Sequence, residues 1–302
     1  IAFFVEYLDD TIKTPNDVES FLNVPFLGLI PAISRGKKNI PVEHIVEQQP
    51  KGTVAESYRA IRTNILFSSG RQVKKLVVTS AGPGEGKTTT VLNIAQVMAR
   101  AGDRTVIMDS DMRRPRINKV FNLRNDSKGL SNFLVGNATA EEIICPTSVE
   151  TMSVIPAGPI PPNPVELLNS PRLHELMAYL TENFDRILID SPPVIAVTDA
   201  AVLSRMADGV IIAVHGGHAH RDIVKRGIES LRNVGGHIFG VILNNVNIFR
   251  ASYYDYYYYN YYRYAYGYGY GYGYRTRTDM AREKKKKKPR REKSTTTATD
   301  DL

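Results

Sequence analysis

Leu76-Val77-Val78-Thr79-Ser80-Ala81-Gly82-Pro83-Gly84-Glu85-Gly86-Lys87-Thr88-Thr89 decides how this chain is read. A β-branched apolar run enters a glycine-rich turn and leaves it as the start of a helix. Gly84 and Gly86 let main-chain amides come close to phosphate oxygens, and the amino terminus of the following helix adds its dipole. Lys87 is placed to reach the β- and γ-phosphates of a nucleotide, and the Thr88 hydroxyl to ligate magnesium. Gly82, Pro83, Gly84, Glu85, Gly86, Lys87, Thr88 and Thr89 are therefore the candidate binding loop for ATP with Mg2+. The usual pattern begins with glycine, where this chain has Ala81.

Outward from that loop, apolar runs recur at 105–108, 153–156, 186–189, 209–214 and 238–243. They are continuous rather than alternating, as expected for strands covered on both faces of a parallel sheet. Helical patterns lie between them. The clearest is 87–100, with Val91, Ile94, Ala95 and Met98 on one face and Gly102 beyond the end. The spacing predicts an α/β fold with a doubly wound, mainly parallel sheet of the P-loop NTPase type, whose ligands sit at the carboxyl ends of the strands. Asp109 and Asp111 leave one such end and Asp190 another. Three hard carboxylates around a phosphate loop suit a magnesium-nucleotide.

The organisation reads as a lead-in over 1–50, a nucleotide-binding domain over 51–250, a tyrosine cluster over 251–274 and a basic tail over 275–302. The lead-in holds a helix start at Thr14, Pro15 and Asp17, then a short extended piece over 25–31; residues 54–67 look helical. Of 17 tyrosines, 14 fall between Tyr253 and Tyr274. They are Tyr253, Tyr254, Tyr256, Tyr257, Tyr258, Tyr259, Tyr261, Tyr262, Tyr264, Tyr266, Tyr268, Tyr270, Tyr272 and Tyr274. Alternating glycine and the lack of aliphatic residues predict a disordered segment there. A flexible string of phenols behind a nucleotide site suggests an enzyme that modifies its own tail.

The net charge of +8 belongs to one place. Residues 275–293 hold 11 Lys or Arg against 3 acids, so the remainder has 28 of each sign. This Lys-rich stretch repels itself and is expected to stay extended; it could solubilise the chain or attract anionic lipid. Nucleic acid is a weaker reading that rests on the tail alone. Cys145 is the only cysteine, which excludes a disulfide within one chain. No apolar run approaches the length of a membrane span, and the opening Ile1-Ala2-Phe3-Phe4-Val5 looks like the clipped end of something longer.

Together these motifs resemble the bacterial tyrosine kinases attached to polysaccharide chain-length regulators. The resemblance rests on the phosphate loop, the acidic stretches 106–113 and 187–193, the loop 158–168, the spacing of Glu56, Arg59 and Arg62, and the tyrosine cluster. It implies an autophosphorylating protein-tyrosine kinase that regulates polysaccharide polymerisation and export. In that reading Lys87 binds phosphate, Thr88 and Asp111 serve magnesium, Asp190 orients the metal's water shell, and Asp109 takes the phenol proton. Glu56, Arg59 and Arg62 join subunits into a ring, where each tail enters its neighbour's site; taken alone, the three could equally form a pair along one helix. The resemblance further implies a site at the cytoplasmic face of the inner membrane and a phosphotyrosine phosphatase as partner. The Lys-rich tail lies outside the family pattern.

Lys87 is expected to face solvent, and Asn244 to contact the adenine. His215, His218 and His220 are read as a solvated loop rather than a metal site. His220-Arg221-Asp222 mimics another kinase motif but lacks its downstream Asn, having Gly227 instead. The alternative is a hydrolytic switch of the partitioning or site-selection kind. Such ATPases carry an early lysine where this chain has Gly82, and they lack the tyrosines.

Overall fold

The six continuous apolar runs form six strands, each covered on both faces. In the computed structural model, which describes residues 9–33, 41–68, 73–124 and 127–247, these are β2 (Lys75–Thr79), β3 (Thr105–Asp109), β5 (Met152–Ile155), β6 (Arg186–Asp190), β7 (Gly209–His215) and β8 (Ile238–Val246). Two edge elements complete the sheet, β1 (Phe26–Pro31) and the short β4 (Cys145–Pro146). The order is β1-β8-β7-β2-β6-β3-β5-β4. Every pairing is parallel except β4 with β5. This is the doubly wound, mainly parallel sheet that the spacing predicts.

Alternation survives inside the strands, because successive side chains serve opposite layers. Val77, Val106, Met108, Ile187 and Ile189 face one apolar layer. Leu76, Val78, Ile107 and Leu188 face the other. Five helices matter for the site: α1 (Thr53–Ser68), α2 (Lys87–Ala99), α3 (Pro171–Asn183), α4 (Asp199–Ser204) and α5 (Arg221–Asn233). The sequence gives α2 one apolar face, yet every residue from Thr90 to Ala99 is buried. Its outer side is covered by α1 and by the segment at 42–48, where the Asn93 amide donates to the Val42 carbonyl at 2.9 Å and Gln96 to that of Glu43 at 3.1 Å.

The stretch expected as a lead-in contributes to the same sheet and core. β1 pairs in parallel with β8. Ahead of it, Thr14 caps a short helix with a reciprocal box, its hydroxyl accepting from the Asp17 amide and its own amide donating to the Asp17 carboxylate. Ile12, Val18 and Leu22 are buried in the first apolar layer. Residues 1–8, the tyrosine cluster and the basic tail lie outside the described residues, as does the expected end of regular structure near residue 250.

Candidate active site

β2 passes into α2 through residues 80–86, at the carboxyl ends of the central strands, where β3 and β6 also finish. Gly86 has φ of +88°, a conformation that strains any side chain, and an added Cβ would lie 1.9 Å from the Asn244 amide nitrogen. Ala81, the departure from the usual pattern, is tolerated. Its φ is not positive, and it lies opposite Gly227 of α5, where a Cβ would be 3.7 Å from its own.

Glu85 straps the loop shut. Its carboxylate accepts from the Gly82 amide at 2.6 Å and from the His215 amide of β7 at 3.4 Å, and burial pushes its pKa up. Asn244 braces the same loop, donating to the Glu85 carbonyl at 3.2 Å while its own side-chain oxygen accepts from the Asn245 amide at 3.0 Å. The Asn244 side chain is thus already engaged with the loop and with its neighbour, which leaves one amide hydrogen and one lone pair for the expected adenine contact.

The register sets Asp109 directly beside Asp190 on neighbouring strands. Asp190 accepts from the Thr88 hydroxyl at 2.6 Å through Oδ2, while its Oδ1 is buried without a partner. Burial pushes the Asp190 and Asp109 carboxyls above the usual range, and the charge of Asp190 adds to the effect on Asp109. Lys87 is half-buried rather than solvent-facing. Desolvation pushes its pKa down, against the opposing pull of Asp190 and Asp111. An orphaned carboxylate oxygen and a hydroxyl, with a second buried carboxyl beside them, form a donor set suited to a hard divalent cation, so the residues fit magnesium.

Asp109, expected to take the phenol proton, is fully buried. Its oxygens accept from the amides of Asp111 at 3.2 Å, Arg116 at 3.1 Å and Ile117 at 3.1 Å. In this arrangement it holds the turn after β3 through three main-chain amides. Asp111, two residues on, is half-exposed. The same turn is fastened by a contact that the sequence does not announce. The Arg113 guanidinium donates two bonds, of 3.0 and 3.1 Å, to Asp199 at the start of α4, which is fully buried.

On α1, Arg59 donates to Glu56 at 2.6 and 2.8 Å, the pairing along one helix that the spacing allows. Arg62 reaches the Val97 carbonyl at 3.4 Å. The three histidines do not converge on a common point. His215 pairs with the Asn245 amide at 2.8 Å, and His220 with Asp10 at 2.6 Å. All fourteen tyrosines expected to accept phosphate lie outside the described residues.

Residues 73–237 match the family model described as an AAA domain, a nucleotide-binding family. Tyrosine-protein kinase YwqD of Bacillus subtilis is 36% identical over 225 residues, covering 74% of this chain and 93% of that protein. Among solved structures, the chimerical protein CapA2B2 superposes with a TM-score of 0.72 at 39% identity, over 78% of this chain and all of that one. The kinase domain of the Escherichia coli tyrosine kinase ETK gives 0.74 at 28% identity, over 87% of this chain and all of that one. The septum site-determining protein MinD of Pyrococcus horikoshii gives 0.50 at 23% identity, over 57% of this chain and 70% of that one, and shares the fold alone.

Proposed function

The chain belongs to the bacterial tyrosine-protein kinases, and from that membership we propose that it transfers the γ-phosphoryl group of ATP to tyrosines of its own carboxyl-terminal cluster. The observation that carries this reading is the meeting of Lys87, Thr88 and Asp190 at the end of the phosphate loop, with Thr88 and Asp190 only 2.6 Å apart. In the reaction the phenol oxygen bonds to the γ-phosphorus, the bond to the β–γ bridging oxygen breaks, and ADP leaves with its electrons. The loop amides and Lys87 hold the phosphates and oppose their growing charge. Bound Mg2+ would be held by Thr88, Asp190 and Asp111 and would neutralise phosphate charge. A phenol with an ordinary pKa near 10 gives up its proton late. We assign its acceptance to the Asp111 oxygen turned away from the metal, the other oxygen accepting from the Arg114 amide or meeting Mg2+, and give Asp109 the task of shaping the turn.

We further propose that transfer runs between neighbours in a ring joined through Glu56, Arg59 and Arg62. The same reading puts the kinase at the cytoplasmic face of the inner membrane, where it regulates polysaccharide export, with a phosphotyrosine phosphatase reversing the reaction and the basic tail free to meet anionic lipid. Among the described residues, no helix is long and apolar enough to cross a membrane.

Labelled ATP should give phosphotyrosine within residues 253–274, at a rate per molecule that rises with protein concentration. Free phosphate without phosphotyrosine would favour the hydrolytic switch. Replacing Glu56, Arg59 and Arg62 with Ala should yield monomers whose rate at dilute concentration falls about tenfold or more, because the high local concentration of acceptor is lost.

The buried carboxylates also predict a pH dependence. Because their pKa values are raised, the folded protein holds protons that the unfolded chain releases. The stability this lends is present below the ordinary carboxylate range and is lost as pH climbs through the raised values. Magnesium needs the ionised forms. Its affinity, measured by calorimetry without nucleotide, should keep rising above about pH 5, where ordinary carboxylates have already ionised. Affinity that stays level from there to neutrality would count against the site.

A further inference from the structure

The turn after β3, with Asp111, Arg113, Arg114 and Arg116, stands between the loops that leave β6 and β5. Those two strands flank β3, so the roots of their loops are about 10 Å apart, two strand spacings, a width suited to an aromatic side chain. Both loops are pinned at the base. On one side the Val194 amide donates to the Ser80 carbonyl at 2.9 Å, and the Thr79 hydroxyl to that of Pro192 at 2.9 Å. On the other, the Pro156 and Ala157 carbonyls accept from Leu130 and Ser131 at 2.7 and 2.9 Å.

Each loop nevertheless holds an isoleucine out in solvent. Ile160 is 65% exposed and Ile195 is 48% exposed. Exposed Phe21, by contrast, is roofed by the Arg221 guanidinium 4.0 Å from its ring. Arg114 and Arg116 are exposed, with no ion-pair partner among the described residues.

We propose that Ile160 and Ile195 form an acceptor rim, on which the tyrosine-rich segment 253–274 of a second copy of this chain is held for phosphorylation. This rests on the kinase reading above and adds the residues that select the acceptor. Apolar side chains grip the ring and leave the hydroxyl unpaired, so the rim selects a phenol by its body while the reacting oxygen stays free. Charge complements the apolar contact, because Asp255 and any phosphate already placed on a neighbouring tyrosine would meet Arg114 and Arg116. The segment begins six residues past Asn247, the last described residue, and its 22 residues can extend to about 75 Å, ample reach into another copy.

The test uses the full chain with a synthetic peptide of residues 253–274 at varied concentration. Ile160→Ser with Ile195→Ser should raise the apparent KM for peptide about tenfold, the contribution of two lost apolar contacts, with kcat little changed. ADP affinity and the thermal midpoint should stay put, and Ile160→Leu with Ile195→Leu should restore the KM. An unchanged KM in the serine variant would overturn the rim. So would a change in oligomer mass with KM intact, which would make the isoleucines a subunit contact. Failure of the unaltered protein to modify the peptide at all would take down the kinase reading, and the rim with it.

Discussion

Lys87→Met is expected to lower tyrosine phosphorylation about a thousandfold while leaving the fold in place, the loss typical of removing one preorganised charge from developing phosphate charge. The half-buried stem of Lys87 explains why methionine suits the test, since it fills the same space without the ammonium. Lys87 is also already disfavoured as a cation by desolvation, held charged by Asp190 and Asp111. Triphosphate should complete that compensation, so its binding to the unaltered protein, but not to the variant, should strengthen the lysine's hold on its proton. The thermal midpoint should move by no more than about 2 °C. Phosphotyrosine at the normal rate in the purified variant would remove Lys87 from the reaction.

Asp190→Asn should separate activity from stability. The amide can still accept from Thr88, so the loop geometry is kept. With the negative charge gone, transfer should fall at least about a hundredfold and its response to Mg2+ should flatten. The metal-free protein should at the same time become no less stable, and near neutral pH more stable, because Asp109 then lies beside a neutral group. Parallel thermal melts with and without Mg2+ measure this. The unaltered protein should gain from the ion, and the variant should gain little. A variant that loses stability in metal-free buffer would mean that the attraction of Asp190 to Lys87 outweighs its repulsion of Asp109.

The central strands were legible because their environment is uniform. A strand covered on both faces reads as an unbroken apolar run, and each run from Leu76 to Leu243 finds its place in the sheet. The phosphate loop was legible because its chemistry is local, carried by consecutive residues. Contacts between distant positions were not legible. Arg113 and Asp199 are 86 residues apart, and nothing near either names the other. Asp109 and Asp111 look interchangeable in sequence, and only the amides of Arg116 and Ile117 turn one inward. Asn244 reads as a free amide at a strand end until Gly86 and Glu85 are brought beneath it. The lead-in reads as separate because its single short run gives no sign of the edge it covers.

That edge fixes where the domain can be divided. Without β1, β8 would show a row of unpaired main-chain groups, above the uncovered side chains that Leu27 and Ile30 now shield. A kinase fragment trimmed to begin at the phosphate loop would keep every residue of the chemistry and still be a poor protein in solution, inclined to pair edge to edge with its own kind. The smallest portable unit of this enzyme is therefore set by the far rim of the sheet, four strands from β6 and its Asp190.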